Sequence, residues 1–416
     1  MRVAVVGGGS TYTPELIDGF ARLPFTVDEV VLIDPATERL GIVGEFGRRI
    51  LAHFGSATRL AWTDDLDAGL TDADVVLIQL RVGGQQTRIS DETFPLDCGC
   101  VGQETTGAGG LAKALRTVPV VLDIARRARE RARPDAWVIA FTNPVGIVTR
   151  ALLDDGHRAL GLCNVAIGLQ RLLAELLDVT PDDVTLGHAG LNHLTWERSA
   201  TLHGVDRLPE LIAKHGDVLA EHLELPAELL RLTGTLPSYY LRYFYCHDEV
   251  VAEERREQPR GARVAEIERE LLAMYQDPAL DTKPALLSER GGAYYSEAAI
   301  GLLASLHGRP GTHAVNVRNN GTLPNLPDNA VIEVTCDVDA TGATPVPTAP
   351  LAPDLAGLVT HVSGYEELAV DAALRGGADR VFRALLAHPL IGQADQARTL
   401  TDTLLAANAK FLAWAR

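Results

Sequence analysis

Two regimes of hydrophobic patterning divide this chain. Up to about residue 165, short β-branched runs alternate with longer segments whose apolar residues recur at helical spacing. Residues 3–6, 30–34, 58–62, 73–80 and 137–141 read as strands, and the near-continuous apolar ones as buried parallel strands. Between them, 14–23, 38–53 and 111–132 read as helices. Such alternation predicts a doubly wound sheet. Ala159-Leu160 then leads through Gly161-Leu162-Cys163-Asn164 into 167–177, where Ile167, Leu169, Leu172, Leu173 and Leu176 keep helical spacing. Cys163 and Asn164 therefore fall where a strand hands over to a helix, at the end where open α/β sheets bind ligands.

From about Thr201 the alternation stops. Helical segments broken by proline follow, then β-like and Gly-rich stretches at 288–301 and 312–338, of which AVIEVTCDV has the period of two of an antiparallel strand. Residues 341–354 read as a Pro-rich surface loop and the tail from Ser363 as helical. The expected organisation is α/β: a Rossmann-like, mostly parallel sheet domain over 1–165 and a mixed α+β domain over 166–416. Residues 184–196 read as one strand interrupted by glycines. The stretch 81–110 reads as a long polar connection without regular structure, a length that usually carries function. There are no internal repeats.

Hydrophobic residues make up 46 % of the chain and charged residues 22 %, a globular profile. The net charge of −17 disfavours nucleic acid and anionic membranes as partners. It leaves room for a phosphorylated small molecule, which a local pair of arginines can hold. The five cysteines are irregularly spaced, and Cys98-Gly99-Cys100 reads as a reduced loop pair. A strand begins at once at the N-terminus, and no apolar run reaches roughly 18 residues. A cytoplasmic protein is expected.

Gly7-Gly8-Gly9-Ser10-Thr11 connects the first strand to the first helix, the arrangement that brings backbone N–H groups and a helix N-terminus to a pyrophosphate. Gly7 and Gly9 match the first two glycines of the dinucleotide fingerprint, while Tyr12 stands at the third. Asp34 closes the next strand about 25 residues on, near the ~20 expected of an acid for the adenosine ribose, and favours NAD over NADP. The 81–110 connection holds Arg88, Asp91-Glu92 and Glu104, and Asn143 lies at a strand end beside the expected nicotinamide. Cys163 and His193 are a soft and a borderline donor for a transition metal. His188 would face the opposite way on a strand and reads as structural. Residues 236–245 carry four tyrosines; Arg255, Arg256, Arg260 and Arg263 form a basic cluster, either a solvated helix face or an anion site.

In chain order, VVGGGSTYTPEL, VLIDP, VGQETTGAGG, TNP, GLCN, GLNHL, PSYYLRYFY and ALLAHPL resemble the NAD- and metal-dependent glycosidases of glycoside hydrolase family four, in its 6-phospho-β-glucosidase branch. The resemblance covers nearly the whole chain and implies hydrolysis by a redox route, outside the usual two-carboxylate scheme. NAD takes hydride from C3 of the sugar, a base removes the acidified C2 proton, the aglycone is eliminated, water adds and the hydride returns. It further implies Cys163 and His193 as ligands to Mn²⁺ or another divalent ion, and Tyr240 as base with Tyr239 as the competing assignment. Glu104 raises that tyrosine's basicity, and Arg88, Asn143, Asn164 and Arg260 bind substrate, the arginines suiting a 6-phosphate. Asn164 lacks a titratable proton where α-specific relatives tend to carry Asp, which favours β-linked substrates. Ala166 and Ala108 replace frequent prolines of the branch and bear on sugar preference. The implied partners are a phosphorylated disaccharide or aryl glucoside and further copies of the chain in a homodimer or homotetramer. The rival readings are an NAD-dependent 2-hydroxy-acid dehydrogenase, a family-four glycosidase of other sugar or anomer preference, and a non-catalytic NAD-binding regulator.

Overall fold

The computed structural model describes residues 1–22, 25, 27–292 and 294–415; Leu23, Ala293 and Arg416, which ended or crossed segments read above, lie outside the described residues. Strands β1 (Arg2–Val6), β2 (Glu29–Ile33), β3 (Arg59–Thr63), β4 (Val75–Ile78), β5 (Trp137–Ala140) and β6 (Ala159–Gly161) alternate with helices. These are α1 (Thr13–Arg22), α2 (Thr37–His53), α3 (Leu66–Leu70), α4 (Gly84–Thr93), α5 (Gly107–Arg131) and α6 (Val145–Asp154), with α7 (Val165–Leu177) after β6. The six strands run parallel in the order β3-β2-β1-β4-β5-β6. Val3, Ala4, Val5, Val75, Val76, Leu77 and Ile78 are all buried, because helices cover both faces and leave no polar side for the pattern to alternate with. Strand order reverses between β2-β1 and β4, which opens a crevice at the carboxyl ends.

The sheet continues past β6. Strands β7 (Val184–Leu191), β8 (Leu194–Leu202), β9 (Val205–Asp206), β10 (Leu236–Pro237), β11 (Gly311–Arg318), β12 (Val331–Asp339) and β13 (Gly342–Pro345) extend it through antiparallel pairs. The join is narrow: Asn316 of β11 pairs with Gly161 of β6. Among the described residues a single 13-stranded sheet thus runs through both halves of the chain, parallel on one side of β6 and antiparallel on the other. Helix Pro353–Arg375 packs on α5 and α6 and gives the tail a place on the parallel half. No described helix is long and apolar enough to cross a membrane.

Three local readings change. Residues 184–196 form a hairpin, β7 and β8, whose turn is Asn192-His193 with His193 at φ 64°. Gly190 of β7 permits it: a Cβ there would come 2.1 Å from the Leu194 carbonyl oxygen of the returning strand. Much of the polar stretch 81–110 is α4 and a 3₁₀ turn, Phe94–Cys98. Its charged residues are paired inside the protein, which removed the apolar stripe that would have betrayed a helix. Within 288–301 the chain enters a helix, Tyr295–Leu306, buried against α1, β11 and β12 and apolar on nearly every face, so no period distinguishes it from a strand.

Candidate active site

A cavity of about 1550 Å³ opens where the parallel strands end, lined by Val6, Ile33, Leu80, Phe141 and Leu162 among others. The end beside β1 and β2 is built by backbone. Gly7 and Gly8 both donate their N–H groups to the Ile33 carbonyl, at 2.9 and 3.0 Å, which folds the glycine turn over the end of β2. Gly7 sits at φ +89°, and a Cβ on it would lie 2.8 Å from the Gln79 carbonyl oxygen, so the turn demands glycine. Asp34 accepts from Gly9 N–H at 3.1 Å and Ala36 N–H at 2.9 Å, holding its carboxylate at the lip of the turn. Gly7, Gly9, Ser10 and Asp34 line the cavity, while Thr11 is buried behind it and accepts from the Tyr275 hydroxyl through its carbonyl. Arg290 enters from the far half of the chain, 3.4 Å from Ser10 Oγ and 2.9 Å from Glu268.

The other end is built by side chains from distant elements. Asn143, Cys163, Asn164, His193, Tyr239, Tyr240, Arg88 and Arg260 share its wall. Cys163 follows β6, and Asn164 is the N-cap residue of α7. Burial and the nearby Glu333 charge push the Cys163 thiol up, opposed by donors from the Val165 backbone, the Asn192 side chain and the Asn164 backbone. His193 is buried, which pulls its imidazole down to about 4 and leaves it neutral at neutral pH; its Nδ1 lies 3.1 Å from Thr105 Oγ1. The Tyr240 ring stacks on His193 with centroids 3.6 Å apart. Burial holds the Tyr240 hydroxyl well above the ordinary phenol range, the Cys163, Tyr243 and Glu104 charges add to this, and Arg88 opposes them. Tyr239 is engaged elsewhere, its hydroxyl accepting from Arg242 at 2.8 Å.

Two buried polar clusters stand behind these residues. Glu104 receives Lys113 Nζ at 2.6 Å, Arg88 Nε at 3.3 Å and the Arg81 guanidinium. Against burial, these cations hold its carboxyl well below the usual range. Burial and the Arg81 charge pull Lys113 down to about 7. Arg88 also pairs with Glu92 at 2.7 Å, whose second oxygen accepts from Gly261 N–H at the start of helix Arg260–Tyr275. In the second cluster, His188 bridges Glu197 at 2.6 Å and Glu333 at 3.0 Å, and Glu333 accepts from Asn192 at 2.8 Å and Asn316 at 2.7 Å.

Of the basic cluster, Arg260 and Arg263 line the cavity, whereas Arg255 donates to the Leu96 carbonyl. Asp91 pairs with Arg116 in the interior rather than facing a ligand. Sequence reasoning missed Arg81, Lys113, Arg290 and Glu333. Lys113 was readable, since it interrupts the apolar run Leu111 to Leu115 of a helix. Arg290 was not, because nothing local separates it from a solvated arginine.

Both cofactor positions can be tested on these residues. The glycine turn, the α1 N-terminus and Asp34 together offer what a dinucleotide requires. Cys163 and His193 supply a thiol and a neutral imidazole. Among the described residues no cluster of three or more His, Cys, Asp or Glu could hold a metal, so a divalent ion here would keep positions open for substrate oxygens. Among the described residues Asn143 Oδ1, buried on this wall, has no hydrogen-bond partner and is open to a donor.

Comparison with known proteins matches residues 2–179 to the family 4 glycosyl hydrolase model and 188–391 to that of the family's C-terminal domain. The 6-phospho-β-glucosidase of Escherichia coli is 36 % identical over 99 % of this chain and 96 % of its own. The structure of Thermotoga maritima 6-phospho-β-glucosidase with manganese, NAD⁺ and glucose-6-phosphate superposes with a TM-score of 0.92 at 31 % identity, covering 99 % of each chain. A phospho-α-glucosidase of Clostridium acetobutylicum is less similar, 27 % identical over 98 % of this chain and 97 % of its own.

Proposed function

Because the chain belongs to family 4 of the glycosyl hydrolases, we propose that this cavity hydrolyses 6-phospho-β-glucosides with NAD and a divalent metal as its resident cofactors. The observation that carries the reading is that one cavity joins the glycine turn and Asp34 to Cys163, His193 and Tyr240. When bound, NAD and the ion supply a hydride acceptor and donor for C3 of the sugar, Lewis acidity on its hydroxyls and positive charge beside Tyr240. Gly7, Gly9 and Ser10 seat the pyrophosphate and Asp34 the adenosine ribose. Cys163 and His193 hold the metal. Asn143 offers its unpartnered Oδ1 to a sugar hydroxyl, and Asn164 borders the same wall.

Tyr240 takes the C2 proton. Support for it over Tyr239 comes from its stack on His193 and from the Arg242 contact that occupies Tyr239. Glu104, held ionised by its cations, makes the phenolate a stronger base through its charge. Arg88 and Arg260 receive the 6-phosphate on an otherwise acidic protein. In this reading residues 1–165 carry the nucleotide and 166–416 most of the sugar surface, with Cys163 at the seam. A homodimer or homotetramer draws support from the exposed apolar residues Val205, Val218 and Leu232. A hydroxy-acid dehydrogenase would have no use for Cys163 and His193 as ligands.

The test is nitrophenol release from p-nitrophenyl β-glucoside 6-phosphate, with NAD and Mn²⁺ omitted in turn. Activity that requires both, without net NADH, is expected; full activity after both are stripped would sink the reading.

A further inference from the structure

The loop before α5 reaches one ring nitrogen of His193, Nδ1. Gln103 is held by two contacts: its Nε2 donates to the Tyr243 hydroxyl at 3.0 Å, and its Oε1 accepts from the Thr105 backbone N–H at 2.9 Å. Flipping this amide would set two donors against each other at Thr105, so the backbone N–H fixes its orientation. The Thr105 hydroxyl then lies 3.2 Å from Gln103 Oε1 and 3.1 Å from His193 Nδ1. A hydroxyl has one proton to give, and Oε1 has none. Every contact pairs a donor with an acceptor only if that proton goes to Oε1 and Nδ1–H of His193 donates to Oγ1. The loop is pinned at both ends, by Gly102 N–H on Glu254 at 2.8 Å and Gly107 N–H on His388 Nε2 at 3.1 Å. Stacking on Tyr240 fixes the plane of the imidazole, and Thr105 fixes its rotation within that plane.

We infer that Thr105, oriented by Gln103, holds neutral His193 as its Nδ1–H tautomer, so that Nε2 presents its lone pair to the divalent cation. Thr105 is thus a positioning residue for metal uptake, an inference that rests on the metal reading above. The opposite tautomer would place a hydrogen where the ligand lone pair is needed. Outer groups that set a ligating histidine in this way typically account for about 10- to 100-fold in metal affinity.

Two measurements test it. In metal-free protein labelled with ¹⁵N-histidine, the His193 shifts should show a protonated Nδ1 in the wild type and a mixture in Thr105→Val. Titration of Mn²⁺ followed by electron paramagnetic resonance, with NAD and glucose 6-phosphate saturating, should show about 10- to 100-fold weaker binding in Thr105→Val. Wild-type affinity in Thr105→Ser and unchanged NAD affinity in all variants are also expected. A protonated Nε2 in the wild type, or Mn²⁺ affinity unaffected by Thr105→Val, would overturn the inference. If Thr105→Val does not fold, Gln103→Leu keeps the hydroxyl but removes its acceptor, and the same two outcomes decide. Wild-type protein that takes up no Mn²⁺ would instead sink the metal reading, and the nitrogen shifts would still decide the tautomer.

Discussion

Glu104 and Glu333 are both buried carboxylates behind the cavity wall, neutralised in opposite ways. Around Glu104 two guanidinium groups, Arg81 and Arg88, together with Lys113, which is partly protonated near neutral pH, face two acids once Glu92 is counted. Around Glu333 a single imidazolium, His188, is shared with a second carboxylate, Glu197, and the remaining contacts are neutral amides. One end of the cavity therefore has surplus positive charge beside Arg88 and Arg260. The other has surplus negative charge near Cys163 and His193. In a poorly screened interior this separation suits the proposed placing of an anionic sugar phosphate and a divalent cation side by side on an acidic protein. Net charge alone could not reveal it.

Tyr240 lies under the influence of both ends, so Tyr240→Phe is the largest expected perturbation. Loss of the proposed general base predicts a fall in kcat of about 10²- to 10⁴-fold with NAD affinity retained, read from nitrophenol release and nucleotide titration. Full turnover in that variant would transfer the role to Tyr239.

Glu104→Gln strands buried cations and should cost about 3–5 kcal/mol in urea unfolding. Glu333→Gln leaves His188 balanced by Glu197 and should cost less, about 1.5–3 kcal/mol for its charge-assisted hydrogen bonds. Equal losses would contradict the charge asymmetry.

Arg260 is exposed, and its guanidinium donates to the Glu289 carbonyl. Arg260→Gln should therefore leave stability alone while raising KM for a 6-phosphorylated glucoside about tenfold or more, from ~1.5–3 kcal/mol of charge-assisted hydrogen bonding. An equal rise for the unphosphorylated glucoside would show that this arginine does not read the phosphate.

A separate test is pH. Burial opposes the charge on His188, but Glu197 and then Glu333 outweigh it and raise the imidazole from 6.5 to about 10. A folded-state value above the unfolded one stabilises fully below the lower value and is lost as pH rises through the upper. Unfolding free energy should thus decline gradually across that window, and His188→Gln should flatten the decline. A slope that survives the substitution would place its origin in another group.

Legibility followed sequence distance. The glycine turn and Asp34 belong to one β1-α1-β2 unit, where strand, turn and acid are consecutive and the backbone makes the contacts, so their spacing was sufficient. The hairpin at Asn192-His193 reads from the sequence as a broken strand, because Gly190 signals an irregularity without saying that the chain reverses. Helix α4 was hidden for the opposite reason: its Arg88 and Glu92 are polar yet face inward.

By itself the sequence determined the parallel half, the nucleotide turn and the candidate chemistry of Cys163, His193 and Tyr240, since each rests on local periodicity or on a side chain's intrinsic reactivity. The tertiary structure decided which of those groups share a wall, which charges neutralise one another and which hydroxyl orients His193. Those depend on contacts such as Thr105 with His193 and Arg290 with Ser10. Residues so far apart meet only when the sheet and its helices have packed, and hydrogen bonding and screening act across space rather than along the chain.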